Sequence, residues 1–290
     1  MSGSPLKIVI LARSDVAHVR NAWEALRPAI EQQTGLVLEA VDLGGGLDFT
    51  RVDAELAVVL GGDGAILRAC RQMGYHQLPI LGVNLGRLGF LADISPAEFA
   101  ATCPRLVARD YKCVPHLMYS CQVIREGGEQ PIFLGLNEVA ISCGASFHMF
   151  DVHLLIDHQT VTTYSGDGII ISTPVGSTAH NLSAGGPILS QNLQSFVITP
   201  ICPHTISIRP IVDSADCVYT FELNEVPPGV TLIVDGQLHV PLESGDRIEV
   251  KRAPVSFQLV KFPGMSFYRT LHRKLGWGGQ PNYQPRSDDR

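Results

Sequence analysis

The turn Gly61-Gly62-Asp63-Gly64 has the composition of a phosphate site that also carries an acid. It follows the apolar run ELAVVL at 55–60 and precedes a helix predicted from about Ala65. Glycines let the backbone approach a ligand closely, and a helix N-terminus offers free N–H groups to an anion. A carboxylate there would repel phosphate unless it binds a metal or accepts a proton, which makes Asp63 the candidate catalytic residue. The alternative is an ordinary strand-to-helix turn.

Two common phosphate-binding signatures are absent from the sequence. No glycine precedes a lysine, which excludes a Walker-type P-loop, and G-x-G-x-x-G occurs in no register. A nucleotide would therefore have to bind by another scheme.

A polar pair, Asn137-Glu138, interrupts the apolar run LGLNEVAIS. In a strand the two side chains would lie on opposite faces, so at most one of them faces the core. The amide could read the edge of a base, and the carboxylate could accept hydrogen bonds from ribose hydroxyls. The other interpretation is a position on an edge strand or at a strand end.

The segment from Gly166 to Pro187 joins an apolar strand to a loop rich in hydroxyls and glycines. Small residues permit close approach, and hydroxyls with free backbone groups supply many neutral hydrogen bonds. We therefore expect this loop to form a surface for a polar, planar ligand. The hydroxyl-bearing residues are Ser172, Thr173, Ser177, Thr178 and Ser183.

The segment 198–210 contains a histidine, His204, and an arginine, Arg209, among prolines and apolar residues. A lone histidine is more often structural than catalytic, and Arg209 could pair with a structural carboxylate. Both residues stay candidates for binding as well.

The elements that must position these residues change character along the chain. Residues 1–112 alternate short β-branched runs with amphipathic helices, which predicts an α/β domain with a parallel sheet. Residues 113–255 consist of short strands separated by turn residues, which predicts a mainly antiparallel β domain. In residues 256–290, a helix from Phe267 to Trp277 is expected to pack back on the first domain.

Composition narrows the function classes. The formal net charge of −6 and pI near 5.9 argue against a nucleic acid or an anionic membrane as partner. No signal peptide or membrane-spanning run is apparent, so we expect a cytoplasmic protein. The seven cysteines are scattered without C-x-x-C spacing and are expected to be reduced thiols.

Six blocks of the chain, in this order and spacing, resemble the NAD kinase family. They are GGDG (61–64), NLGRLGFL (84–91), LNEV (136–139), DGIIISTPVGSTAHNLSAGGP (167–187), CPHTISIRP (202–210) and DGQ (235–237). The tail FYRTLHRKLGW (267–277) also resembles bacterial members. The resemblance implies an α/β domain and a β-rich domain with a substrate cleft between them.

The resemblance further implies a kinase that phosphorylates the adenosine-ribose 2′-hydroxyl of NAD, with ATP or polyphosphate as donor and Mg²⁺ on the donor phosphates. It implies a homodimer or homotetramer in which a neighbouring subunit helps to build the NAD site. Asp63 would be the general base or orienter of the hydroxyl, while Gly61, Gly62 and Gly64 would contact phosphates. The remaining residues expected to bind nucleotide are Asn137, Glu138, Asp167, Thr178, Ala179, His180, Ser183, His204 and Arg209.

One departure from the family pattern concerns the residue expected to stack on adenine. The family usually has tyrosine after G-S-T-A, whereas this chain has His180, whose ring is smaller and can titrate. Two other functions stay open: a lipid or sugar kinase that shares the GGDG turn, and an inactive NAD-binding sensor. A lipid or sugar kinase has no use for the hydroxyl-rich loop, and a sensor has no need of Asp63.

Overall fold

The computed structural model of the chain describes residues 4–86, 89–125, 128–144 and 149–276. The first part is an α/β unit with β1 (Leu6–Ala12), α1 (Ala17–Glu31), β2 (Leu36–Asp42), β3 (Leu56–Leu60), α2 (Asp63–Met73), β4 (Ile80–Val83) and α3 (Pro96–Val107). Its strands are parallel and lie in the order β4-β3-β1-β2. This confirms the parallel sheet predicted for the N-terminal part.

Sequence pattern explains these elements. Every residue of β3 is buried, as expected for a central parallel strand that helices cover on both faces. Helix α1 buries Val19, Trp23, Leu26 and Ile30, which recur at helical spacing. Helix α3 begins with a capping box, in which the Ser95 side chain accepts from the Glu98 N–H and the Glu98 carboxylate accepts from the Ser95 N–H.

The second part is mainly β, as predicted. It contains β5 (Lys112–Arg125), β6 (Gly128–Glu129), β7 (Phe133–Gly135), β8 (Glu138–Cys143), β9 (Phe150–Ile156), β10 (Gln159–Gly166), β11 (Gly168–Ser172), α4 (His180–Ser183), β12 (Ser195–Ile201), β13 (Ile211–Ser214), β14 (Tyr219–Glu222), β15 (Val230–Val234), β16 (Leu238–Pro241), β17 (Arg247–Lys261) and α5 (Phe267–Leu275). Six strands form an antiparallel sheet in the order β13-β12-β11-β8-β15-β16. Apolar side chains of β8, β11, β12 and β15 pack against those of β5, β9, β14 and β17 to form the core of this part.

Strand β17 joins the two parts into one sheet. It pairs antiparallel with β5 along most of its length and parallel with β4 at Leu259. The sheet of eleven strands thus runs from β10 in the β-rich part to β2 in the α/β part. The composition change near residue 112 coincides with the start of β5, and the change near residue 255 lies inside β17.

Helix α5 contacts the loop that follows β4. The Phe267 ring lies 6.1 Å from the Phe90 ring, and the Lys274 ammonium lies 4.2 Å from the centre of the same ring. The residue predicted to end this helix, Trp277, lies outside the described residues. Within the described ranges no helix is long and apolar enough to cross a membrane. All seven cysteines lie within the described ranges, and none of them forms a disulfide bond.

Candidate active site

Asp63 is the first residue of α2, and backbone N–H groups hold its carboxylate in place. Oδ2 accepts from the N–H of Phe90 at 2.8 Å, and Oδ1 accepts from those of Leu91 at 3.0 Å and Ala92 at 3.4 Å. The helix begins two residues earlier than the sequence predicts, because Gly62 takes the N-cap position. Asp63 is therefore a fixed hydrogen-bond acceptor at the head of a helix, half-buried at the carboxyl end of β3.

Two glycines make this arrangement possible. Gly61 has φ of +141°, a conformation that other residues rarely adopt, and a Cβ there would lie 2.7 Å from the Ala65 Cβ. Gly89 lies directly against the Asp63 carboxylate. The GGDG turn and the loop at 89–92 thus form one unit.

A cleft of about 550 Å³ adjoins the GGDG turn. It lies at the carboxyl ends of the neighbouring strands β1 and β3. From β1 the chain continues to one side of the sheet, and from β3 it continues to the other, which is the usual place for ligands in open α/β sheets. Arg13, the residue after β1, lines this cleft, and its guanidinium would be 3.5 Å from a Cβ at Gly64. Arg68 of α2 donates to the Arg13 carbonyl and, at 2.7 Å, to that of Gly44. Sequence reasoning missed Arg13, whose position after the first strand was the available signal.

Asp235 organises the backbone that carries Asn137 and Glu138. Its carboxylate is only 4% exposed and accepts from the N–H groups of Leu136 at 3.0 Å, Asn137 at 2.8 Å and Glu138 at 3.2 Å. The Tyr119 hydroxyl donates to it at 2.9 Å. Burial raises the pKa of Asp235, while these four hydrogen bonds act in the opposite direction.

Glu138 begins β8 and is 5% exposed. Burial raises the pKa of Glu138 to about 8, and the nearby Asp235 charge adds to this effect. The His180 N–H donates to the Glu138 carboxylate, which lowers the pKa in part. Its Oε2 has no hydrogen-bond partner among the described residues. At neutral pH this side chain is therefore mainly a neutral acid that can donate a proton to a hydrogen bond. Asn137 is half-buried and lies in the bend before β8, so only Glu138 of the pair belongs to the strand, and the pair has the strand-end position given above as the other interpretation.

Gln237 connects the two halves of this site. Its amide nitrogen donates to the Gly64 carbonyl at 3.0 Å, and its Oε1 accepts from Arg71 Nη2 at 2.8 Å. Gln237 belongs to the same turn as Asp235, so it ties α2 to the segment that positions Asn137. No role for Asp235 or Gln237 was predicted from the sequence, although the DGQ block was recognised.

The expectation that the hydroxyls of the 172–183 loop face a ligand is wrong for three residues. Ser172, Thr173 and Ser177 are fully buried and donate to carbonyls of Asn137 at 3.1 Å, Leu136 at 2.5 Å and Pro174 at 2.6 Å, respectively. These short side chains hold the loop against the start of β8 by satisfying carbonyls that the turn leaves free. The half-buried or exposed residues of this loop include Thr178, Ala179, His180 and Ser183.

The structure separates three of the expected binding residues from the others. Asp167 precedes β11, whereas Ser172 ends it beside Glu138, so Asp167 and Ser172 are roughly 17 Å apart. His204 lies at the Asp167 end, where its N–H donates to the Ser165 carbonyl at 2.9 Å. Arg209 follows in the same loop and donates to carbonyls of Ile206 at 2.5 Å and Ile208 at 2.8 Å.

The arrangement can hold an anion at the GGDG turn and a hydroxyl-bearing ligand against Asp63 and the start of β8. Among the described residues, no group of three or more His, Cys, Asp or Glu side chains could hold a metal ion.

Comparisons with known proteins identify relatives of this chain. The profile of the ATP-NAD kinase N-terminal domain matches residues 31–111, and that of the ATP-NAD kinase C-terminal domain matches residues 136–262. The NAD kinase of Rhodopirellula baltica is 46% identical over 96% of this chain and 89% of that protein. The NAD kinase of Geotalea daltonii is 42% identical over 78% of this chain and 79% of that protein.

Two solved structures resemble the fold. Yeast NADH kinase complexed with NADH superposes with a TM-score of 0.86 at 23% identity, covering 95% of this chain and 89% of that one, which bears on the fold alone. An NAD kinase from Archaeoglobus fulgidus in complex with ATP gives a TM-score of 0.73 at 27% identity, covering 94% of this chain and 100% of that one.

Proposed function

This chain belongs to the NAD kinase family, and on that premise we propose that it transfers the terminal phosphoryl group of ATP to the adenosine-ribose 2′-hydroxyl of NAD at Asp63. The observation that carries the proposal is the Asp63 carboxylate, which three backbone N–H groups fix beside a cleft suited to phosphates. Such a carboxylate can orient an acceptor hydroxyl and take its proton.

The donor phosphates occupy the cleft at Gly61, Gly62 and Gly64, where free N–H groups at the head of α2 and the Arg13 guanidinium favour negative charge. Mg²⁺ bound to the donor would neutralise developing charge on the transferred group. The donor phosphates themselves and the Asp63 carboxylate would hold this ion.

The acceptor lies against the start of β8 and the exposed side of the loop before α4. Asn137 supplies an amide, and Glu138, kept neutral by burial, donates to a ribose or amide oxygen. Thr178, Ala179 and Ser183 border the ligand, and the exposed His180 ring stacks on its base.

Phosphoryl transfer has a loose transition state, so positioning and charge neutralisation supply most of the acceleration. Asp63 accepts a hydrogen bond from the 2′-hydroxyl and aligns its oxygen with the γ-phosphorus of ATP. It takes the proton as the new P–O bond forms and the bond from the γ-phosphorus to the β–γ bridging oxygen breaks, which releases ADP. Gln237 fixes the distance between the two sides of the site through the Gly64 carbonyl.

A homo-oligomer accounts for the remaining predicted residues. Asp167, His204 and Arg209 are exposed at the far end of β11, and their loop carries Ile206, whose side chain is 90% exposed. Because these residues lie far from the GGDG turn of their own chain, a second copy of the chain is needed to bring them to an NAD site. We therefore assign these three residues to the NAD site of a neighbouring copy.

The test is incubation of the purified protein with NAD, Mg²⁺ and either ATP or polyphosphate, followed by phosphorus NMR of the product. NADP carrying its phosphate on the adenosine-ribose 2′-oxygen is expected. Sphingoid base and sugar acceptors test the lipid or sugar kinase alternative. Absence of product with both donors, together with measurable NAD binding, would favour the sensor instead.

A further inference from the structure

A separate cavity of about 460 Å³, here called the His116 cavity, lies beneath the segment that leads from β17 into α5. One wall is the start of β5, another is the loop at 190–192, and the third is the segment 261–268. None of the residues assigned above to NAD or to the donor lines it. Its volume suits a small organic molecule.

Strand register gives one end of this cavity a positive charge. Lys112, Val114 and His116 alternate along β5 and so project from one face. Lys112 lies directly opposite Lys261 of β17, so two ammonium groups share this end. Lys261 pairs with Asp93, but the exposed Lys112 forms no ion pair among the described residues. Like charges directly opposite each other are unfavourable, so an anion would stabilise this pair.

The other end holds buried polar groups without partners. His116 is 2% exposed, and its Nδ1 lies 3.2 Å from the Gln191 carbonyl, which can only accept. Burial lowers the pKa of His116, so the ring is neutral and its Nε2 is a free acceptor. Both His116 Nε2 and the Gln191 amide nitrogen lack hydrogen-bond partners within the described structure. Both atoms expose almost no surface. Because unpaired buried groups cost stability, a small rotation of either side chain towards a ligand that offers a donor and an acceptor would be favourable.

The walls between these ends are apolar and aromatic. Phe262, Met265, Phe267 and Tyr268 line them, and the His116 ring stacks on Phe257 with centroids 5.7 Å apart. Flat rings of this kind favour a planar ligand.

We propose that the His116 cavity binds a small organic anion with a planar ring and that its occupant modulates the kinase. The anionic group lies at Lys112 and Lys261, and the ring lies among the aromatic side chains. Modulation follows from Phe267, which lines the cavity and contacts the Phe90 ring, since the Phe90 N–H donates to Asp63. A ligand that prefers one position of Phe267 would shift the loop that holds the carboxylate.

Phenyl phosphate and benzoate are suitable probes, because they share the ring and differ in the anion. Calorimetry on the full chain saturated with NAD keeps the probes from the NAD site, and it does not depend on turnover. We expect binding below about 10 mM, and about fivefold or more weakening in Lys112→Gln, whose exposed position preserves the fold. Val114→Phe should block the cavity, while Lys251→Gln, at an exposed lysine elsewhere on β17, should bind as the unmodified protein does.

If the Lys112→Gln and Val114→Phe variants bind the probes as tightly as the unmodified protein does, the site is overturned. The same holds if inorganic phosphate, which lacks the ring, binds as tightly as phenyl phosphate. A crystal soaked with phenyl phosphate should show it between Lys112 and His116. If a probe binds but leaves kcat unchanged at saturating NAD and ATP, the binding site stands and its proposed link to Asp63 is overturned. A protein that binds the probes but forms no NADP would leave this site standing and count only against the proposed transfer reaction.

Discussion

The Asp63 carboxylate occupies the space that a side chain on Gly89 would need. An ideal Cβ at Gly89 would lie 2.0 Å from Asp63 Oδ1 and 2.7 Å from Cγ. The loop that donates to the carboxylate and the carboxylate itself therefore determine each other's position.

Replacing Gly89 with alanine should lower kcat by about tenfold or more, because an atomic displacement near 1 Å at the reacting group is costly. Steady-state kinetics with NAD and ATP measures this. Gly86→Ala is the matched control, since a Cβ there has nothing within 4 Å. A variant at Gly89 with unchanged kcat would mean that the carboxylate tolerates displacement.

Asp63→Asn should lower kcat by about 10²–10⁴-fold, because the amide keeps the size of the side chain but cannot accept the hydroxyl proton. NAD affinity measured by calorimetry should change little. A rise in KM for ATP·Mg²⁺ that extra Mg²⁺ partly reverses would instead indicate a metal-organising role. A fall below about tenfold in kcat, with both KM values unchanged, would remove Asp63 from the mechanism.

Gln237→Leu should lower the free energy of unfolding by about 1–3 kcal/mol, because it leaves Arg71 Nη2 and the Gly64 carbonyl without their partner. Since these bonds join the two sides of the site, kcat should fall as well. Gln237→Glu separates the contacts, because it keeps the acceptor for Arg71 and loses the donor to Gly64. Urea unfolding and kinetics measure both effects, with the exposed Gln194→Leu as control. Wild-type kcat in both Gln237 variants would contradict a positioning role.

Glu138 should make stability depend on pH in an unusual direction. Burial raises the pKa of Glu138 to about 8 from 4.5, so between these values the folded state holds a proton that the unfolded state releases. Stability should therefore fall as pH rises through this window, by about 5 kcal/mol in all. Glu138→Gln keeps a neutral side chain and removes this contribution. Urea unfolding from pH 5 to 8 measures the free energy of unfolding of both proteins. As the pH rises, the glutamine variant should become increasingly more stable than the natural protein. A difference that stays constant would mean that Glu138 is not the group that titrates.

His180→Ala should raise the KM for NAD by about 5- to 100-fold with a smaller change in kcat, because stacking on a base is worth roughly 1–3 kcal/mol in ground and transition states alike. His180→Tyr should bind NAD at least as well as the natural protein, because the larger ring offers more area. Steady-state kinetics with NAD as the varied substrate tests both. An unchanged KM in the alanine variant would mean that the ring does not touch NAD.

Much of the fold follows from local pattern. The buried run of β3 and the spacing of Val19, Trp23, Leu26 and Ile30 predict a central parallel strand and an amphipathic helix. The continuity of the large sheet was not predictable, because the pairing of β17 with β4 joins residues distant in sequence. Periodicity identifies a strand but does not identify its neighbours.

The candidate site was predictable where one residue type had one plausible use. Asp63 stood out because a carboxylate is costly in a phosphate-binding turn. Burial decided the cases that failed: Ser172 and Thr173 look like ligand-binding hydroxyls in sequence but serve the backbone in the structure. The role of Asp235 was not predictable either, because its four hydrogen-bond donors come from segments far from it in sequence.

The pairing of β17 with both β5 and β4 also limits how this molecule can move. Hinge opening requires a few loop residues to absorb large changes in φ and ψ. Here the long β17–β5 ladder belongs to the β-rich part and meets the α/β part at the pair Leu259–Ile80, so separating the two parts as rigid bodies would break the large sheet at this pair. Movement of surface loops can admit substrates and release products while this pair, and with it the continuous sheet beneath both halves of the site, stays intact.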